Sequence, residues 1–247
     1  MDDSSDRLDE ADPRRWLGDT PVLNLRDDKL RLRVKTVTQF SRNDAEKLKC
    51  ICNYVASIPF NVPAFAGIRK TRKTLTHRPA VGWYSKAGLF LAMLRVAGFP
   101  ARIRMFQVEP GFFQGMAKTR QQFVLPVVEI WIREKWVITD NYVYDPPYLA
   151  TALEAVSRRG WRAGFGVHLD GQTTWNGIDD ALIMFVPDRS KGPTPSQYLG
   201  VYDDPLEYLR QLKQASLSGW IWALMRNRIM SIRLNRKVRQ LRVEAGG

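Results

Sequence analysis

The chain has 247 residues, 45% hydrophobic and 26% charged, with eleven Phe, eight Trp and eight Tyr, the profile of an ordinary globular protein with ample material for a core. No apolar run approaches the roughly 18–20 residues that a membrane-spanning helix needs, so an integral helical membrane protein is excluded. The net charge of +13 and pI of 10.0 raise affinity for phosphate polymers and anionic surfaces without specifying a fold.

Residues 1–15 open with MDDSSDRLDEAD and read as an acidic tail without fixed structure. This stretch is unlike a secretory signal, so a cytoplasmic location is expected. The ordered chain is expected from Trp16, through a Gly18-Asp19-Thr20-Pro21 turn. Asn43 followed by Glu46 marks a capped helix start, and Leu48, Ile51, Cys52, Val55 and Ile58 follow at helical spacing. Cys52 thus falls on an apolar face and Cys50 off it. Two residues apart, the pair suits neither a disulfide nor half of a zinc site. A basic stretch with Arg69, Lys70, Arg72, Lys73, His77 and Arg78 reads as a solvated loop or, more sharply, an anion-binding rim.

Ser85–Ala97 is the clearest helix, apolar on most of its circumference, with Gly98 as its cap and Pro100 preventing continuation. Ala101–Phe106 reads as a strand carrying Arg102 and Arg104 on one face. Val127–Ile132 and Lys135–Thr139 read as a hairpin turning at Arg133-Glu134. A short helix over Leu153–Arg159, a turn-rich Gly164–Gly177 region and helices over Leu206–Leu217 and Gly219–Val243 complete the chain. A buried central helix followed by antiparallel strands is an α+β order. The organisation expected is a tail (1–15), one main domain (16–215) and a basic amphipathic C-terminal helix (216–247).

The segment Gly82-Trp83-Tyr84-Ser85-Lys86-Ala87, continuing through Leu94-Arg95 to Gly98-Phe99-Pro100-Ala101-Arg102, resembles the signature of bacterial transglutaminase-like proteins of the papain-like cysteine-enzyme superfamily. Val128-Glu129-Ile130-Trp131 through Lys135-Trp136-Val137 to Asp140 is similar to that family's second block. The resemblance implies a buried helix packed on an antiparallel sheet. It also implies a Cys at the helix start, acidified by the helix dipole, a His to activate it and an Asp to orient the His.

Counted against these blocks, the Cys position holds Trp83 and the His position Leu125, while the acidic position keeps Asp140. Indole and isobutyl groups perform neither job, and losing one core member of a hydrolase triad costs on the order of 10⁶ in turnover. Three readings follow. The first is a transglutaminase-like pseudoenzyme that binds a peptide or protein in the former groove, or keeps that groove only as structure. The second is a binder of nucleic acid or anionic membrane surface, acting through the Arg69–Arg78 cluster, Arg102 with Arg104, or the C-terminal helix. The third is an acyl-transfer or hydrolytic enzyme with a substituted centre, for which Ser85, His77, His168, Cys50 and Cys52 supply the candidates. No cofactor or metal is implied.

Overall fold

The structure is a computed structural model in which residues 12–62, 71–76, 81–116, 123–184, 186, 195–215, 231–232 and 234–243 are described. The helices are α1 (Asp28–Thr38), α2 (Asp44–Ala56), α3 (Thr71–Thr76), α4 (Trp83–Val96), α5 (Pro146–Arg158) and α6 (Pro205–Ala215). The strands are β1 (Ala101–Val108), β2 (Phe123–Ile132), β3 (Lys135–Thr139), β4 (Ala163–Gly164), β5 (Val167–His168) and β6 (Pro195–Tyr202). A four-stranded antiparallel sheet runs β3-β2-β1-β6, and β4 pairs with β5. The fold is α+β, with the buried helix α4 packed on the sheet as the sequence indicated.

Every residue of α4 from Ser85 to Arg95 is buried. Such a helix needs a clean stop, and Gly98 supplies it at φ +89. Its N–H donates to the Arg95 carbonyl and that of Phe99 to the Leu94 carbonyl, the two bonds of a Schellman termination. The buried Arg95 guanidinium then ties the helix end to its surroundings. It donates to the carbonyls of Ala101 and Gly18 and pairs with Asp203 at 3.2 Å. The β2–β3 hairpin turns on Arg133 and Glu134, both in the left-handed region (φ 50 and 63), as a two-residue turn matching strand twist requires.

Several expectations are corrected. Order begins ahead of Trp16: Asp12 caps a 3-10 helix over Pro13–Leu17. Helix α5 starts at Pro146 rather than near Leu153, because Asp145 caps the Tyr148 N–H and proline suits the first turn. Residues Thr71–Thr76 of the basic stretch are helical, not loop. Arg72 and Lys73 sit on that helix, whereas Arg69, Lys70, His77 and Arg78 lie outside the described residues. Arg102 and Arg104 share a strand face, and both meet a carboxylate within the fold. Glu129, opposite Arg102 in the register, takes the Arg102 Nε at 2.6 Å and lies 2.5 Å from the Arg104 Nε, with the Arg102 guanidinium stacked 4.0 Å from the Trp136 ring centroid. Helix α1 and strand β6 were not anticipated.

At the C-terminal end, residues 234–243 are helical, and Leu234, Val238 and Leu241 are buried. Asn235 exchanges two 2.8 Å hydrogen bonds with the backbone of Val62, and Arg242 donates to the Phe60 carbonyl (2.8 Å) and to Asp145 Oδ2 (2.6 Å). That carboxylate oxygen also accepts the Phe60 N–H at 2.6 Å. Arg242→Ala should therefore cost about 1–3 kcal/mol in urea unfolding and speed limited proteolysis of the C-terminal end. Unchanged stability and an unchanged cleavage pattern would mean that this clamp holds nothing.

Candidate functional site

Trp83 is the first residue of α4, following Gly82, which offers no side-chain cap. A thiol there would face unsatisfied helix N–H groups and the positive end of the dipole. The indole instead turns into the core and is 6% exposed. Its Nε1–H donates to the Tyr144 hydroxyl at 3.3 Å, and that hydroxyl donates to the Gly166 carbonyl at 2.8 Å. Phe60 meets the indole edge-on at a centroid distance of 4.8 Å and Phe113 at 5.6 Å, while Phe60 also packs on Tyr144 and Tyr148. The β4–β5 turn closes over this cluster through Gly166 (φ +80), where a Cβ would overlap the Tyr144 hydroxyl. Trp83 is thus one member of a closely packed ring cluster.

Leu125 lies in β2 opposite Phe106 and is 2% exposed. The carbonyls on either side of it receive hydrogen bonds from the other two positions' neighbours. Tyr84, next to Trp83, donates to Val124 O at 2.9 Å, and Tyr142, two past Asp140, donates to Pro126 O at 3.2 Å. The backbones of the three positions are thereby tied into one neighbourhood.

Asp140 follows β3 and is fully buried. Its carboxylate accepts the N–H groups of Ile183 (2.7 Å) and Met184 (2.9 Å), anchoring the 181–184 segment beside the sheet edge. Burial pushes its pKa up to about 7, against the downward pull of those two backbone donors. Each carboxylate oxygen thus accepts one main-chain donor.

Two further buried groups face this region. Lys86, one turn into α4, donates to the carbonyls of Ala56 (3.2 Å) and Tyr142 (3.4 Å). Burial is the main cause that pushes its amine down to about 7. Cys52 is buried on the core face of α2, and burial, with a smaller contribution from Asp140, pushes its thiol well above the ordinary range. A thiol in that state is not a nucleophile at neutral pH. Cys50 lies on the partly exposed side, with the Ser41 hydroxyl 3.7 Å from its sulfur. His168 is buried in β5, where its Nδ1 accepts the Asp170 N–H at 3.1 Å. Among the described residues no group of three or more His, Cys, Asp or Glu is placed to hold a metal. No described helix is long and apolar enough to cross a membrane.

Sequence reasoning singled out Trp83, Leu125 and Asp140 but not Phe60, Phe113, Tyr144 and Tyr148, which form one ring cluster with Trp83. They come from separate segments, and no local spacing links them.

A family model for the transglutaminase-like superfamily matches residues 32–141, a span that contains Trp83, Leu125 and Asp140. Residues 32–141 are a transglutaminase-like core. Among solved structures, this chain is similar to "a Putative Cysteine Protease from Cytophaga hutchinsonii", at 18% identity and a TM-score of 0.42. That match covers 52% of the present chain and 41% of the Cytophaga hutchinsonii chain, so less than half of that protein is spanned. No curated protein matches.

Proposed function

We propose that this chain is a transglutaminase-like pseudoenzyme, in which the former catalytic centre is part of the core and the protein's role is binding or scaffolding. The observation that carries this reading is the state of Trp83. It stands where the family's nucleophile belongs, with its N–H bonded to Tyr144 and its ring packed against Phe60 and Phe113. Acyl transfer of the family's kind needs a thiolate at the helix start and an imidazole within hydrogen-bond reach. Leu125 offers no imidazole, and Asp140 has given its oxygens to backbone donors. Because the ring cluster fills the cleft at Trp83, binding falls to the outer surface rather than to a groove at that point.

The test is direct. Purified protein, given a chromogenic acyl ester or a glutamine peptide with a primary amine, should show no turnover above buffer between pH 6 and 9 (about the range over which thiol–imidazole pairs work). Iodoacetamide should leave Cys52 unlabelled in the folded protein. Turnover that disappears in Cys52→Ser or His168→Ala would overturn the reading in favour of a substituted centre.

A further inference from the structure

We propose that the outward face of α1 docks this protein on an anionic lipid bilayer. Along α1 only Leu30 and Val34 are fully buried, and Leu32, 65% exposed, points the opposite way. With about 100° between successive residues, Lys29 and Lys35 fall about 60° to either side of Leu32. Arg33 and Arg31 fall about 100° to either side. Leu32 is thus the apex of the helix, flanked symmetrically by cations. Gln39 continues the helical backbone (φ −58, ψ −29) and delivers Phe40, the most exposed of the large hydrophobic residues described, at 86%.

Charge on this face is mostly positive, the four cations Lys29, Arg31, Arg33 and Lys35 against one exposed acid, Asp28, which falls about 40° from Leu32. Asp28 is the only acid within α1, and Asp27 spends its carboxylate capping the Leu30 N–H. Arg33 lies over the Tyr54 ring at 5.3 Å; Lys29, Arg31 and Lys35 form no ion pair among the described residues. The nearby acids of α2 are occupied: Asp44 pairs with Lys47, and Glu46 accepts the Arg42 N–H. A leucine and a phenylalanine standing clear of the surface would be costly in water alone. Among cations they match the boundary between lipid headgroups and acyl chains, where basic side chains meet phosphate and apolar tips enter the hydrocarbon.

A bilayer fits better than a folded partner or a phosphate polymer. Phe40 lies outside the adjacent groove, and Leu32, which borders it, is still 65% exposed, so both tips reach solvent and suit a fluid medium. A phosphate polymer would use the cations and leave Leu32 and Phe40 idle. An acidic peptide would instead favour the adjacent groove of about 540 Å³, lined by Leu32 and Val34, the cations Arg31, Lys35 and Lys47, and Val96.

Flotation of the full chain with phosphatidylcholine vesicles, with and without phosphatidylserine, tests the proposal. Binding to the anionic vesicles alone is expected, weakening as salt rises. Lys29→Ala with Lys35→Ala should weaken it about thirtyfold, and Leu32→Ser with Phe40→Ser about tenfold or more. All four side chains are exposed, so unfolding curves should match the parent and separate a binding defect from a folding one. No binding at low salt, or equal binding to neutral vesicles, overturns the proposal. So does binding indifferent to the α1 substitutions, which would place attachment on another basic surface. Sensitivity to the lysine pair but not to the apolar pair points to phosphate-polymer binding and equally overturns it.

Discussion

Trp83→Ala is expected to lower the unfolding free energy by about 3–5 kcal/mol, read as a fall in urea midpoint at constant slope. The loss has two sources. The ring leaves a cavity whose walls are Phe60, Phe113 and Tyr144, held by neighbouring elements that cannot all collapse inward. The Tyr144 hydroxyl also loses the indole donor at 3.3 Å, although it keeps its own bond to Gly166 O. Trp83→Phe keeps most of the packing and should cost about 1–2 kcal/mol, chiefly the hydrogen bond and the missing ring volume. Trp83→Cys should be destabilised about as much as the alanine variant, because the thiol fills little of the cavity. A family-type catalytic cleft tolerates a small side chain at this place, so a cost below about 1 kcal/mol for Trp83→Ala would mean that the centre is not built into the core.

What the sequence showed and what it hid follow from the range of the interactions concerned. Helix α4 was legible because its signals are local: a continuous apolar run, then Gly98 and Pro100 at the stop. The β2–β3 hairpin was legible from alternation around a two-residue break. Helix α1 was not, because only Leu30 and Val34 are fully buried and its outward side interrupts the cations with Leu32, which blurs any apolar stripe. Strand β6 escaped notice with Pro195 at its start and Gly200 inside it, residues that read as loop unless the partner strand β1 is known. Arg102 and Arg104 looked like surface charge because their compensation, Glu129, lies 27 and 25 positions away in sequence and meets them only through sheet register. The site divides in the same way. Trp83, Leu125 and Asp140 were singled out by counting within motifs, whereas the ring cluster around Trp83 depends on contacts between distant segments.

Lys86→Met should abolish a rise in stability with pH that the parent protein shows between about pH 7 and 9.5. The amine of Lys86 ordinarily titrates at 10.5, and burial in the middle of α4 pushes it down to about 7, with Arg242 adding to the shift and Asp145 opposing it. Between those two values the unfolded chain carries a proton on this residue that the folded chain does not. Stability must therefore rise with pH in this window, by about 1.4 kcal/mol per pH unit for one such group, or about 3 kcal/mol over the series. That gain is given up progressively as pH falls from 10.5 towards about 7, below which both states carry the proton and the cost of the buried ammonium is fully present. Asp140 has the opposite sign: its carboxyl, raised from 3.8 to about 7, favours the folded state at acid pH and gives up that advantage as pH rises through this range. The two groups together place a minimum of their joint contribution near neutrality. Tyr84, Tyr142, Tyr144 and Tyr148 are also buried with raised pKa values, and their ionisation in the unfolded chain would favour unfolding at more alkaline pH. Ending the series near pH 9.5 limits that effect, and comparing parent with Lys86→Met at each pH cancels it. Urea midpoints that run parallel for the two proteins across the series would show that Lys86 keeps its charge in the folded state, held by the Ala56 and Tyr142 carbonyls.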